Sequence, residues 1–315
     1  MTLEQFRSVA LATAPESVSV GWSGSARERV RASRAVVERA APGAVLLADN
    51  LDALRAIPDG VVDLAYIDPP FATGGTQRLA SIRTGVGEGT RQGFGGRTYR
   101  YEVVRELAWQ DDLPLDLHLE ALHARLVELH RVLGPAGTLH VHVDWRTVHH
   151  VRLLLDEVFG PERFLNEIVW AYDFGGRARD RWPRKHDSIL WYAKGDAWTF
   201  EREAIERLPY MAPGLVGPDK AARGKLPTDV WWMTIVPPGS AERTGYPTQK
   251  PVRLLERIVA ASSRPGDLVL DPYAGSGTTG VAAARAGRRW LLVDRNPAAV
   301  AIARARLAEV QADGP

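Results

Sequence analysis

Four aspartates of this chain each close a short apolar run that reads as a strand. Asp49 ends Val45-Leu-Leu-Ala, Asp68 ends the run from Val62 to Ile67, Asp271 ends Leu268 to Leu270, and Asp294 ends Trp290 to Val293. Ligands of open parallel sheets sit beyond the carboxyl ends of strands, so four acids at four such ends point to one binding crevice. Two of the acids carry richer surroundings. Asp68-Pro69-Pro70-Phe71 joins a carboxylate and an aromatic ring to two residues that have no N–H, a rigid turn rich in acceptors and able to take the N–H groups of an amine. Asp271-Pro-Tyr273-Ala-Gly275-Ser276-Gly277-Thr278-Thr279-Gly280 reads as strand, tight turn, helix. Gly275 and Gly277 can take positive φ there, and helix N-terminal N–H groups would face the anionic end of a ligand.

The spacing Gly275-x-Gly277-x-x-Gly280, followed by Asp294, also fits a dinucleotide fingerprint, so an NAD-dependent oxidoreductase is one reading. Position argues against it. A dinucleotide domain needs several βα units after its fingerprint, and only thirty-five residues follow Gly280. They supply one helix, the strand Trp290 to Val293 and a last helix from Pro297 to Val310. The remaining strands must come from earlier in the chain, and from Ala44 the pattern is indeed α/β.

In order, the pattern predicts a helix over Leu51 to Ile57 and the strand ending at Asp68. A helix over Asp116 to Leu133, a strand over Thr138 to Val143 and a helix over Thr147 to Val158 follow. Asn166 to Trp170 and Asp187 to Ala193 read as an antiparallel pair at a sheet edge, joined by a basic loop that holds Arg179 and Arg181. The α/β rhythm stops over 196–244, where Lys220, Arg223 and Lys225 are scattered, and resumes at Tyr246-Pro-Thr-Gln249-Lys250-Pro251, which opens a helix over Val252 to Ala261. The chain thus divides into a helical appendage over 1–43, a first half over 44–195, an inserted recognition element over 196–244 and a second half over 245–315. Residues 72–108, with many glycines interleaved with Arg78, Arg83, Arg91 and Arg97, read as a flexible loop that orders on a polyanion.

Composition sets bounds. The 315 residues hold no cysteine, which excludes disulfides, thiolate metal sites and a cysteine nucleophile. Only five of forty basic residues are Lys, and Arg suits phosphates and guanine edges, although the net charge is only +2. No apolar run approaches membrane length and no signal-type N-terminus is seen, so the expectation is a cytoplasmic protein with no membrane partner. His140, His142, His149 and His150 lack an accompanying carboxylate cluster of ligand spacing, so no metal is expected.

Asp68-Pro-Pro-Phe71, Tyr246-Pro-Thr-Gln-Lys-Pro251 and Asp271-Pro-Tyr-Ala-Gly-Ser-Gly-Thr-Thr279, in that order, resemble the amino-directed DNA methyltransferases of the β arrangement, in which the catalytic motif precedes the cofactor motif. The resemblance runs from about Ala44 to Val310. Departures are small: Tyr273 stands where Phe is more usual, Asp294 where Glu is common and Phe71 where Tyr is commonest.

The resemblance implies a Rossmann-like, mostly parallel α/β sheet with an antiparallel edge strand, S-adenosyl-L-methionine as methyl donor and an exocyclic amine of double-stranded DNA as acceptor. Carried over residue by residue, Asp68 and the carbonyl of Pro69 would take the N–H groups of the amine, Pro70 would stiffen the turn and Phe71 would stack on the base. The turn from Tyr273 through Gly275, Ser276, Gly277, Thr278 and Thr279 would cradle the methionine portion, with Asp271 at its root and Lys250 opening the helix that closes on the tail. Asp294 would bind the ribose and Asp49 would lie near the adenine of the cofactor. Arg78, Arg83, Arg91, Arg97, Arg179, Arg181, Lys220, Arg223 and Lys225 are the DNA-contact candidates. Asp at the first catalytic position favours adenine N6 over cytosine N4. A cognate restriction endonuclease and a homodimer are further partner expectations, location at the nucleoid follows from the substrate, and a non-catalytic DNA-binding module is the remaining rival.

Overall fold

The structure, a computed structural model, describes residues 43–71, 75–92, 98–111, 114–175 and 178–312, and over 75–92 and 98–111 it describes the backbone alone. Apart from Gly43, the helical appendage expected over 1–43 lies outside the described residues.

Eight strands form one sheet: β1 (Gly43–Leu47), β2 (Val62–Ile67), β5 (Leu133–Val143), β6 (Phe164–Ala171), β7 (His186–Ala193), β8 (Val230–Trp232), β9 (Leu268–Asp271) and β10 (Arg289–Asp294). Their order is β1-β10-β9-β2-β5-β7-β6-β8, and the first five run parallel. Helices cover both faces, so alternate residues of one strand enter different cores. Leu64 and Tyr66 pack with α5 (Val252–Ser262), α6 (Thr278–Arg285) and α7 (Pro297–Ala312), whereas Ala65 and Ile67 pack with α1 (Asn50–Ala56), α2 (Leu115–Val132) and α3 (Val148–Phe159). Burial on both faces is why these strands are apolar runs without alternation. In α2 the spacing of Leu119, Leu122, Leu126 and Leu129 puts all four on one buried stripe.

The site is positioned by one topological feature. From β9 the chain crosses through α6 to β10 on one face, and from β2 it crosses through α2 to β5 on the other. β2 and β9 are neighbours, paired Leu64↔Val269 and Ala65↔Leu270. Crossovers diverging from adjacent strands leave a crevice beyond their carboxyl ends.

Three expectations are corrected. Residues 72–108 are not a loop over most of their length: β3 (Gly75–Gln92) and β4 (Thr98–Asp111) form a separate antiparallel ribbon inserted between Phe71 and α2. Its signal was present as alternation in Tyr99, Tyr101, Val103 and again in Leu107, Trp109, hidden by the glycine count and by an irregularity between Ser81 and Ile82. The reversed strand, β7, is not at the edge but lies between β5 and β6. Nor does the α/β sheet stop where the α/β rhythm does, because 196–244 contributes β8, which pairs parallel to β6 and forms the edge. Trp231 of β8 and the nearby Met233 are buried, and Trp170 Nε1 donates to the Met233 carbonyl at 3.0 Å. The rest of that segment is irregular, apart from the short helix α4 (Pro218–Arg223) and two single turns. No helix among the described residues is long and apolar enough to cross a membrane.

Candidate active site

Asp68 begins where β2 ends. Its Oδ2 accepts from Lys250 Nζ at 2.5 Å, a contact across 182 residues that ties the end of β2 to the residue before Pro251, the N-cap of α5. Lys250 is buried, and its ammonium also lies 5.3 Å from the centroid of Phe71. Among the described residues Asp68 Oδ1 has no hydrogen-bond partner. The Phe71 ring stacks on His142, with centroids 6.1 Å apart and planes at 24°.

His142 belongs to a buried network that the sequence reading missed. Its Nε2 lies 3.1 Å from Asp187 Oδ2, its Nδ1 lies 2.8 Å from Tyr66 Oη, and Tyr172 Oη donates to Asp187 Oδ1 at 3.1 Å. Burial alone would raise the Asp187 pKa, but the hydrogen bond and charge of His142, with Lys250 and Tyr172, more than offset it and hold the pKa below the usual carboxylate value. An ionised carboxylate only accepts, so Nε2 carries a proton toward Asp187, while Nδ1 stays within hydrogen-bond distance of the Tyr66 hydroxyl. The only sequence hint was an acid opening the apolar strand Asp187 to Ala193. His140 stacks on Trp191, and burial drops its pKa to about 3. Among the described residues no group of three His, Cys, Asp or Glu could hold a metal.

On the neighbouring strand, Asp271 is buried and closes its own turn. Oδ1 accepts from Tyr273 N at 2.9 Å and Oδ2 from Thr279 Oγ1 at 2.5 Å. Burial pushes its pKa up to about 7, the two hydrogen bonds oppose this, and the charges of Asp68 and Asp294 add to the rise. Asp294 accepts from Gly275 N and Asn296 N, each at 2.8 Å, and burial raises its pKa as well. Thr278 Oγ1 donates to the Lys250 carbonyl at 3.2 Å, joining the starts of α5 and α6. Arg306 Nη1 donates to the Ser276 carbonyl at 2.9 Å, a contact with no sequence signal.

The three glycines have different tasks. Gly275 has φ +50 and a Cβ there would lie 3.1 Å from the Tyr246 ring, so this glycine forms the turn at the crevice. Gly277 has φ +76, and a Cβ would come within 2.7 Å of the Ala303 Cβ; at Gly280 it would meet Leu292 at 2.6 Å. The absence of a Cβ therefore also serves packing: Gly277 lets α7 lie close and Gly280 lets α6 lie on β10.

A cavity of about 340 Å³ lies over this switch point. It brings together Asp49, Asp68, Pro69, Pro70, Phe71, Lys250, Asp271, Tyr273, Gly275, Ser276, Thr278, Thr279 and Asp294, while Gly277 lies outside the lining. Asp49 caps α1 by accepting from Leu51 N at 2.8 Å and pairs with Arg125 at 3.4 Å. Asn50 joins the same link, accepting from Arg125 Nε at 2.5 Å and donating to the Pro272 carbonyl at 3.0 Å. Of the DNA-contact candidates whose side chains are described, Arg179, Arg181, Lys220, Arg223 and Lys225, none lines the cavity. Arg179 and Arg181 are exposed on the β6–β7 connection, Lys220 and Arg223 are exposed on α4, and the Lys225 backbone pairs with Leu208. For Arg78, Arg83 and Arg91 only the backbone in β3 is described, and Arg97 lies outside the described residues.

A carboxylate and an aromatic ring at the end of one strand thus share a crevice with a glycine turn at the end of the next. The profile of the DNA methylase family matches residues 62–305, which span both. The chain belongs to the DNA methylase family. Among its relatives, DNA adenine methyltransferase YhdJ of Escherichia coli (strain K12) is 31% identical over 262 residues, covering 80% of this chain and 78% of that protein. Type II methyltransferase M.HpaI of Haemophilus parainfluenzae is 30% identical over 265 residues, covering 84% and 73%. Two solved structures share the fold. PvuII DNA methyltransferase (cytosine-N4-specific) matches with TM-score 0.58 at 16% identity, covering 86% of this chain and 90% of that one. A DNA modification methylase of Thermus thermophilus, TTHA0409, complexed with S-adenosyl-L-methionine, matches with TM-score 0.53 at 22% identity, covering 84% and 93%.

Proposed function

We propose that this DNA methylase is site-specific and transfers a methyl group from S-adenosyl-L-methionine to the exocyclic N6 amine of adenine in double-stranded DNA. The observation that carries the reading is that Asp68 and the Gly275 turn, on adjacent strands, line one cavity. The residues there fit the donor. Burial is what chiefly raises the Asp271 pKa to about 7, the charges of Asp68 and Asp294 add to the rise, and a cation beside these three carboxylates relieves that added repulsion. The sulfonium donor is cationic, whereas the pyrophosphate of a dinucleotide would add negative charge, so the oxidoreductase reading is disfavoured on electrostatic grounds.

When bound, S-adenosyl-L-methionine supplies an electrophilic methyl group. Asp294 would hold its ribose hydroxyls, Asp49 would lie toward its adenine, and the Gly275 turn with Tyr246 would hold its methionine part. The chain's own residues do the rest. An adenine amine is a poor nucleophile because its lone pair is delocalised into the ring. Asp68 Oδ1 and the Pro69 carbonyl accept the two N–H groups and localise that pair. Lys250 fixes the carboxylate through Oδ2, and Phe71, held from behind by His142, stacks on the base. Orientation and fixed dipoles then favour an in-line transfer with no covalent enzyme intermediate. The base must first leave the duplex, at a cost of roughly a few kcal/mol.

Asp at the first catalytic position, together with a relative named as a DNA adenine methyltransferase, favours adenine over cytosine. Double-stranded DNA is the main partner we propose, with location at the nucleoid. A cognate restriction endonuclease and a second copy of the chain are further candidates. Mass spectrometry of digested DNA after incubation with the purified protein is expected to find N6-methyladenine; N4-methylcytosine as sole product would overturn the adenine assignment. Asp68→Asn is expected to lower transfer by roughly 100-fold or more while calorimetric affinity for S-adenosyl-L-methionine stays within a few fold. Near-full turnover by that variant would remove Asp68 from the mechanism.

A further inference from the structure

Beyond β5 the chain turns through Asp144-Trp145-Arg146, and the β6–β7 connection returns beside it through Ala178 to Arg184. Between them lies an open cleft of about 510 Å³ that shares no lining residue with the first cavity. Its walls are Trp145, Arg146, Arg181, Trp182, Pro183 and Arg184. The Arg184 guanidinium lies 3.5 Å from the Trp145 ring centroid, that of Arg146 lies 4.8 Å away, and Trp182 stands 92% exposed.

Three features make this more than an exposed apolar side chain. The Trp145 side is preorganised, because buried Asp144 accepts from Arg146 N at 2.8 Å and its carbonyl from Val148 N at 3.0 Å. The charge is one-sided: residues 144–146 and 178–186 carry five Lys or Arg against two Asp. Arg146 pairs with Asp144 and Arg181 with Asp180, whereas Arg184 pairs with no carboxylate among the described residues. Last, the cleft lies beyond the carboxyl end of β5, at the same end of the sheet as Asp68 beyond β2. Trp145 is three residues beyond His142, on which Phe71 stacks, so their Cα atoms are at most about 11 Å apart.

We infer that this cleft is a nucleobase-stacking subsite for DNA, in which Trp182 and the Trp145–Arg184 stack take a base near the methylated one, with Arg184 on the adjoining phosphate. The inference rests on the DNA methyltransferase reading. Aromatic faces accept any base, so the subsite grips the strand without selecting sequence, and a free cation beside them adds a salt-dependent contact.

The test compares wild-type protein with Trp182→Ala and Arg184→Ala, using fluorescein-labelled duplexes of randomised sequence and anisotropy titrations at several salt concentrations. Trp182→Ala is expected to weaken binding roughly 5- to 150-fold with an unchanged slope of log K against log salt. Arg184→Ala is expected to flatten that slope by about 0.9. Both side chains are at the surface, and calorimetric affinity for S-adenosyl-L-methionine and the thermal midpoint are expected to match wild type, which separates a lost DNA contact from a lost fold. Binding within twofold of wild type by both variants, with unchanged slopes, would overturn the subsite and leave the methylase reading standing. Methyl transfer by the wild-type preparation is measured in parallel on DNA from a host lacking this protein. Wild-type protein that needs Trp182 to bind DNA yet transfers no methyl group would sink the methylase reading alone.

Discussion

Replacing Asp271 by Asn is expected to stabilise the ligand-free protein at high pH, although Asp271 sits in the cofactor turn. The carboxyl titrates near 3.8 in an unfolded chain and near 7 here, because it is buried and faces Asp68 and Asp294. Between those values the native state holds more protons than the unfolded state, so stability falls as pH rises, and the loss is complete above the folded pKa. At about 1.4 kcal/mol per unit, roughly three units correspond to a cost on the order of 4 kcal/mol at pH 8. About 3 kcal/mol of it develops between pH 5 and pH 8. An Asn at this position accepts from Tyr273 N and donates to Thr279 Oγ1, and it does not titrate. Whatever fixed cost the altered hydrogen bond carries, the stability of Asp271→Asn relative to wild type should therefore rise by about 3 kcal/mol from pH 5 to pH 8. For a protein of this size that is a change of roughly 5 °C in the difference between the two melting temperatures. Urea unfolding of both proteins at pH 5, 6, 7 and 8 measures it directly. A gap that stays constant across this range would refute both the raised pKa and the charge-relief argument for a cationic cofactor. At pH 8, S-adenosyl-L-methionine should raise the melting temperature of wild type more than that of the variant.

Gly277→Ala should lower thermal stability as well as cofactor affinity, because the new Cβ meets Ala303; the double variant with Ala303→Gly should recover part of the loss, and full stability in the single variant would contradict the packing role. Asp187→Asn takes the charged acceptor from His142 and loosens the surface beneath Phe71, so kcat should fall roughly tenfold while calorimetric affinity for S-adenosyl-L-methionine is unchanged; wild-type kcat would make the network merely structural. Combined Arg78→Ala, Arg83→Ala and Arg91→Ala in the β3–β4 ribbon should flatten the salt dependence of DNA binding, and an unaltered slope would leave the ribbon without a phosphate contact.

Much of the fold was legible locally. The strand Val62 to Ile67 was read with its bounds intact, and α2 was read to within a residue, because periodicity is written in consecutive positions. Motif order also placed the catalytic and glycine-rich segments in one methyltransferase half each. The ribbon escaped because pairing between Gly75–Gln92 and Thr98–Asp111 depends on register between two segments, and glycines blurred the alternation within each. The edge strand β8 escaped because three residues are too few to show a period, and what recruits Trp231 is the apolar surface beside β6.

By itself the sequence determined which chemistry was present: Asp68-Pro-Pro-Phe71, the glycine turn, and an α/β chain to carry them. Only the tertiary structure decided how the residues divide the work. It put Lys250 on Asp68, turned Asp271 inward onto Thr279, gave Gly277 to the packing of α7 and set His142 and Asp187 behind Phe71. The physical reason is sequence distance. A helix or strand is specified by neighbours within a few positions, whereas a charge pair spanning 182 residues exists only once the order of strands in the sheet has set β2 beside β9.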